Sequence, residues 1–488
     1  MLDGPFPRGG LVRGISEGTL LLGRGEHNRK GAIARIRETG ASVVRIPVDW
    51  RNVVAANPAP GFNPRDPGSP EYRFAAIDAA VRDTAEAGLD PLLVVSHAPE
   101  WAEAPGRWPY AYPGSWSPSP AALEAFAAAL ARRYDGSFPD PTAPAVTLPA
   151  VGVFQAWNEP NLARYLEPQW VVQEGRWSAF SPLAYRQLLN GFYAGVKSVA
   201  PGDLVVSAGL APTGDREGVG RMAPLRFLRS LLCLSPHGVR EPCPDPAHLD
   251  VLAFHPLSVE NPDRPAASSL DLSISDAAKL TSTLALAERR HTVLPAVTKP
   301  LWVTEMNWES APQAPGGVPP SLQAGWISRA LHRLWTAGIS LVAWQFLIDP
   351  WPAARAGTPA GGLIEYQRPA GLLSAAADGN PLTASPKAFL RGFMFPFDPL
   401  RADASHVRVW ALLGGPGRAV ELQRETAARS WRTVARLRSG PDGVLNVLVK
   451  LRGAFTLRLR TATETSAPAR VGRAPWRWRA SITVRWQG

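Results

Sequence analysis

The sequence predicts an α/β fold, a closed (β/α)8 barrel followed by a small C-terminal antiparallel β-sandwich, and three observations carry that expectation. Through the first 400 of 488 residues, short apolar, β-branched runs alternate with longer helix-like segments, eight pairs in all. Polar residues suited to chemistry fall at the carboxyl ends of six of those runs, where such barrels place their sites. From Pro399 onward the pattern changes to short alternating stretches. The expected division is residues 1–398 for the barrel and 399–488 for a basic accessory sandwich.

The first strand is expected at residues 11–15, with a helix over 28–39. The second, 41–47, is rich in valine and isoleucine, and its helix over 72–87 stops at Gly88, a residue type that ends helices in a left-handed turn. The third, 91–97, leads to a helix opened by Ser119-Pro120, an N-cap followed by a first-turn proline, and running to Tyr134. The fourth, the apolar run 150–154, feeds Gln155-Ala156-Trp157-Asn158-Glu159-Pro160-Asn161 and a helix over 183–199. The fifth lies at 204–209 with a helix near 224–232, and the sixth at 250–255 with a helix over 275–290. The seventh, 300–304, delivers Glu305, and its helix over 321–336 ends before Gly338. The eighth spans 339–346, with a last helix near 387–393. The barrel exceeds the roughly 250 residues usual for the architecture. The excess lies in loops 106–118, 161–181, 257–271 and 348–385, which would wall a cleft.

Beyond Pro399, apolar residues alternate at Val407 and Val409, at Val420 and Leu422, and at Leu445, Val447, Val449 and Leu451. They do so again at Phe455, Leu457 and Leu459, less cleanly around Val434 and Leu437, with a turn at Gly440-Pro441-Asp442-Gly443. The charge is uneven: residues 401–488 hold 17 Lys+Arg against 5 Asp+Glu, a net +12, which leaves −1 for the rest of a chain of net +11. That asymmetry points to contact with an anionic polymer or cell surface; a solvated arginine-studded sheet without a partner is the plainer reading. No nucleic-acid motif accompanies it, so no nucleic-acid partner is expected.

At 45% hydrophobic residues the chain can bury one large core and a smaller second one, but no stretch is long and apolar enough to span a membrane. Met1-Leu2-Asp3 leads into no basic-then-apolar leader. The only cysteines, Cys233 and Cys243, sit ten positions apart in one loop. A disulfide accounts for that pairing more simply than two free thiols, and His237 and His248 fit no usual zinc spacing. A disulfide implies an oxidising compartment, hence a secreted or envelope-associated protein, expected to be a monomer.

The candidate site residues are Arg45, His97, Asn158, Glu159, His255, Glu305 and Trp344, all at expected strand ends, with Asn307 and Trp308 just beyond the seventh. Two glutamates at the ends of two parallel strands are equipped to cut a glycosidic bond, one donating a proton while the other attacks or activates water. Glu159, between Trp157 and Pro160, is the candidate acid, since burial favours the neutral form. Arg45 and His97 are placed to hold negative charge on Glu305, Asn158 to bond a sugar hydroxyl, and Trp344 to offer a ring face. Trp101, Trp108, Trp116, Trp170, Trp308 and Trp351 are candidates for further sugar stacking or for loop packing. Taken singly, each has a plain structural reading: Asn-Glu-Pro as a turn, Arg45 as an ion pair, Trp344 as core, His255-Pro256 as a loop. No metal or cofactor is implied, because two carboxylates need neither.

This constellation resembles clan A of the glycoside hydrolases, retaining (β/α)8 enzymes, with local motifs closest to families 5 and 39. The resemblance covers most of residues 10–397 and rests on Trp157-Asn158-Glu159-Pro160, on Val303-Thr304-Glu305, and on Arg45, His97, His255 and Trp344. It implies Glu159 as acid/base, Glu305 as nucleophile and Asn158 as partner of the sugar 2-hydroxyl. Many relatives carry a tyrosine two residues after the sixth-strand histidine that bonds the nucleophile; Leu257 stands there in this chain, so that either another group, such as Tyr366 or Asn307, substitutes or nucleophile activation is weaker. A polysaccharide-binding envelope protein and a transglycosylase are the alternatives. The first has no use for a paired acid and nucleophile, and the second uses the same residues.

Overall fold

The computed structural model describes residues 10–257, 260–314, 316–350 and 369–475; Tyr366 and Trp351 lie outside them. Eight parallel strands form the barrel: β1 (Val12–Ser16), β2 (Val43–Asp49), β3 (Asp90–Ser96), β4 (Val153–Ala156), β5 (Leu204–Ser207), β6 (Leu252–Phe254), β7 (Leu301–Met306) and β8 (Ile339–Gln345). They pair in the order β6-β7-β8-β1-β2-β3-β4-β5. The ring closes between β5 and β6 through bridges Val206–Val251 and Leu210–Phe254, with Ser207 N donating to Val251 O at 2.9 Å. The expected (β/α)8 barrel is therefore the observed one. β4 starts three residues later than expected because Val151 donates its amide to Tyr134 O, capping the preceding helix instead of joining the sheet.

The outer layer comprises α1 (Gly25–Glu38), α2 (Ala75–Glu86), α3 (Pro120–Arg133), α4 (Ser181–Lys197), α5 (Pro224–Leu231), α6 (Ala277–Arg289), α7 (Pro320–Thr336) and α8 (Ala388–Met394). Ser119 caps α3 by accepting from Ala122 N, as its sequence foretold. α3 and α4 pack closely enough that a Cβ at Gly195 would lie 2.3 Å from Glu124 O, so only glycine fits there. Cys233 and Cys243 form the expected disulfide.

Strand alternation sorts the barrel's side chains into layers. Val43, Val153, Ala253, Trp302 and Ala343 point inward and belong to the apolar filling of the ring. Two residues further along each strand, toward the carboxyl end, stand Arg45, Gln155, His255, Thr304 and Gln345. The apolar plug thus carries a polar layer directly above it.

The C-terminal region is two antiparallel sheets. One pairs β9 (Phe397–Arg401), β10 (His406–Leu412) and β13 (Val444–Lys450). The other pairs β12 (Trp431–Arg438), β11 (Ala419–Glu425), β14 (Phe455–Arg460) and β15 (Ala469–Val471) in that order. Their facing sides bury Val407, Val409, Leu422, Leu445, Leu457 and Leu459. The expected division at 398/399 falls within β9. Asp398 of that strand bonds Arg329 at 2.8 Å and His332 at 2.7 Å, both on α7. Among the described residues, no helix is long and apolar enough to cross a membrane.

Candidate active site

The polar layer is one connected network. Arg45, almost wholly buried, donates Nε to Gln155 Oε1 at 2.7 Å, Nη2 to Asn158 Oδ1 at 2.8 Å and Nη1 to Ser16 Oγ at 3.1 Å, and Nη1 also pairs with Glu305 Oε1. Gln155 passes the link on through Nε2 to Thr304 Oγ1 at 3.1 Å. His255, fully buried, bridges the two candidate carboxylates' surroundings: Nδ1 meets Glu159 Oε1 at 3.0 Å and Nε2 meets Thr304 Oγ1 at 2.9 Å. Its ring fits only because residue 209 is glycine, where a Cβ would stand 2.1 Å from the imidazole.

Glu159 follows β4 and Glu305 stands at the end of β7, with β5 and β6 between them in the ring, yet the two carboxylates meet above the apolar filling. Facing atoms of Glu159, His255 and Glu305 all lie within 4.8 Å of one another. Such a cluster could also hold a metal ion, but Arg45 already sets a permanent positive charge against Glu305. Glu159 reaches the pocket through a bent backbone: Trp157 and Glu159 have positive φ, 75° and 34°, which non-glycine residues adopt at a cost of order 1–3 kcal/mol each. The bend is held by Glu159 N donating to Gly209 O at 3.1 Å and by Trp157 Nε1 donating to Tyr165 O at 2.8 Å.

Three expectations need correction. Trp344 offers no ring face: it is 0% exposed, one residue out of phase with the inward-facing Ala343 and Gln345, and packs outward against Trp308 and Phe389. Trp308 is likewise fully buried, its indole donating to Glu260 O at 3.0 Å, so it builds the core and not a sugar contact. His97 sits at the end of β3 as expected but does not supply charge to Glu305. Burial, reinforced by Arg51 and Arg164, pushes its pKa down to about 4, and its Nδ1 meets Ser96 Oγ at 3.1 Å. Asn307 acts one step removed, donating Nδ2 to Gln345 Oε1 at 3.0 Å.

Two residues overlooked in the sequence complete the pocket. Gln345 Nε2 donates to Glu305 Oε2 at 2.7 Å, filling the role left open by Leu257. Its signal was the alternation Leu341, Ala343, Gln345 on β8. Tyr165, on the loop after β4, stacks beside His97 with ring centroids 5.2 Å apart. Burial and the nearby charges of Glu159 and Glu305 push its phenol upward in pKa. No periodicity marks a loop tyrosine, so the sequence alone had no means of finding it.

No protein-family profile matches the chain, nor does any curated protein sequence. Solved structures do. A family 39 glycoside hydrolase from the gut symbiont Bacteroides cellulosilyticus WH2 superposes with a TM-score of 0.52 at 16% identity, over 91% of this chain and 81% of that one. Its fold and this one are alike. The resemblance to clan A barrels is thereby borne out as a matter of architecture. A monomeric β-xylosidase from Caulobacter crescentus CB15 also matches, at 13% identity and a TM-score of 0.48 over 92% of this chain and 95% of that one. A family 30 endoxylanase from Clostridium papyrosolvens C71 does so at 12% identity and 0.46, over 91% and 94%.

Proposed function

We propose that this chain is a retaining glycoside hydrolase acting on a β-linked poly- or oligosaccharide. The observation that carries the reading is the approach of a carboxylate oxygen of Glu159 to one of Glu305 within 4.8 Å, both residues being buried. Carboxyls about 5–5.5 Å apart suit a nucleophile and an acid, whereas inverting enzymes leave about 6.5–9.5 Å for a water between them. In this scheme Glu305, oriented by Arg45 and Gln345, attacks the anomeric carbon while Glu159 protonates the departing oxygen. The glycosyl ester is then hydrolysed by a water that Glu159, now ionised, deprotonates. His255 holds the Glu159 carboxyl toward the glycosidic oxygen.

A panel of aryl β-glycosides and of plant and microbial glycans, assayed with wild type and Glu305→Ala, tests the reading. Turnover with retained anomeric configuration in wild type, lost in the variant, is the expected result; inversion, or equal rates, would overturn it.

The partner reading extends to the basic sheet. Arg436, Arg458, Arg460 and Arg470 lie on the side of β12, β14 and β15 opposite the buried Leu457, Leu459 and Val471, with Glu421 paired across from Arg436 and Arg460. This excess of positive charge supports contact with an anionic polymer or cell surface. The Cys233–Cys243 disulfide supports a secreted or envelope location, and we take the working unit to be a monomer.

A further inference from the structure

We propose that the loop after β3 is a binding subsite for a sugar chain: Trp108, Tyr110 and Tyr112 form an aromatic platform that Arg164 and Tyr165 continue down to the paired carboxylates. The inference rests on the glycosidase reading and deepens it, assigning the substrate as an oligosaccharide long enough to leave the pocket and lie along this loop.

The three aromatics fall within five residues yet remain 51%, 96% and 45% exposed. Scattered exposed apolar residues need no explanation, but a cluster marks a contact surface. Beneath them the loop is held by further side chains. Trp116 is buried beneath Trp108, with ring centroids 4.7 Å apart. Glu103 braces the chain from below, accepting from Gly114 N at 2.9 Å and Trp116 N at 2.8 Å and pairing with Arg107 at 3.2 Å.

The platform is joined to the catalytic end. Ala98 N donates to Gly114 O at 2.9 Å, and a Cβ at Gly114 would stand 2.8 Å from the Cβ of His97, so the loop returns tightly against the end of β3. Glu167 N donates to Ser115 O at 2.8 Å and Ser117 N to Glu167 O at 2.7 Å, tying the loop to the segment that bears Arg164 and Tyr165. The Arg164 guanidinium lies 5.4 Å from the Tyr112 ring centroid and 5.9 Å from that of Tyr165. Flat rings suit the apolar faces of sugars, and the planar guanidinium between two of them extends that surface. Because the loop is already braced, little conformational freedom is lost when a chain settles on it.

The test compares cellohexaose, xylohexaose and mannohexaose with the matching 4-nitrophenyl β-monoglycosides, using the full chain and its Trp108→Ala and Tyr110→Ala variants. Binding is read by tryptophan fluorescence and calorimetry on a Glu305→Gln background, so it does not depend on turnover. At least one hexasaccharide should bind more tightly than its monoglycoside. Trp108→Ala should weaken the hexasaccharide about tenfold more than the monoglycoside, an excess worth about 1.4 kcal/mol. Tyr110, which is solvent-exposed, gives a second variant whose effect cannot arise from misfolding. Equal losses on both ligand lengths, or hexasaccharides that bind no better than monoglycosides, would overturn the subsite. Hydrolase failure would be separate: no cleavage by wild type while length-dependent binding persists.

Discussion

The pairing of Arg45 with Glu305 lends itself to a thermodynamic cycle. Both side chains are nearly inaccessible, 4% and 8% exposed, so removing either alone strands the other's charge without water. Breaking a buried pair in this way costs about 3–5 kcal/mol. Arg45→Met also deprives Gln155 Oε1 and Asn158 Oδ1 of their donor, adding about 1–3 kcal/mol for each acceptor left unmet. Those extra losses recur in the double variant Arg45→Met/Glu305→Leu, so they cancel in the cycle. What remains is the pair itself, and the double variant should be less destabilised than the sum of the singles by up to about 3 kcal/mol. Urea unfolding at neutral pH, followed by tryptophan fluorescence, measures all four corners. Additivity within about 0.5 kcal/mol would refute the argument that each charge exists in the pocket because of the other.

Other expectations follow from single contacts. Gln345→Leu removes the donor to Glu305 Oε2 and should lower kcat about 10–100-fold with a smaller change in KM; an unaltered kcat on aryl glycosides would contradict its assigned role. Glu159→Ala should cost least on substrates with good leaving groups, which need little protonation, so a loss independent of leaving-group pKa would remove Glu159 as the acid. Glu17, just beyond β1, has its pKa pushed up from 4.5 to about 7 by burial, which outweighs the backbone N–H groups of Leu20 and Leu347 that favour its charged form. A raised carboxyl contributes stability that is complete below pH 4.5 and lost as pH rises through 7, roughly 3 kcal/mol at most. Glu17→Gln should flatten that decline in the urea midpoint across the same window, and a variant that falls as steeply as wild type would show that Glu17 does not cause it.

The barrel was legible because its strands and helices differ in period and because glycine, proline and serine punctuate them at Gly88, Ser119-Pro120 and Gly338. The two glutamates were legible because short local motifs place them at strand ends. What the sequence concealed was direction. Trp344 and Gln345 are neighbours on one strand, and chemical attractiveness favoured the indole, but the pleat turns Trp344 toward the helices and gives the pocket to Gln345. Trp308 was misjudged in the same way. His97 and Tyr165 depend on tertiary surroundings, a buried ring and a loop returning over it, that no spacing rule encodes.

Trp410 belongs to a sandwich strand, yet it packs into the barrel's own apolar core and lies 4.7 Å from the His332 ring, nearly parallel to it. Asp398 locks the same seam with Arg329 and His332. The two halves therefore share a keystone, and separating them would bare it to water. Recombination that grafts a foreign appendage onto this barrel must carry α7 along or leave an indole-sized wound in its flank.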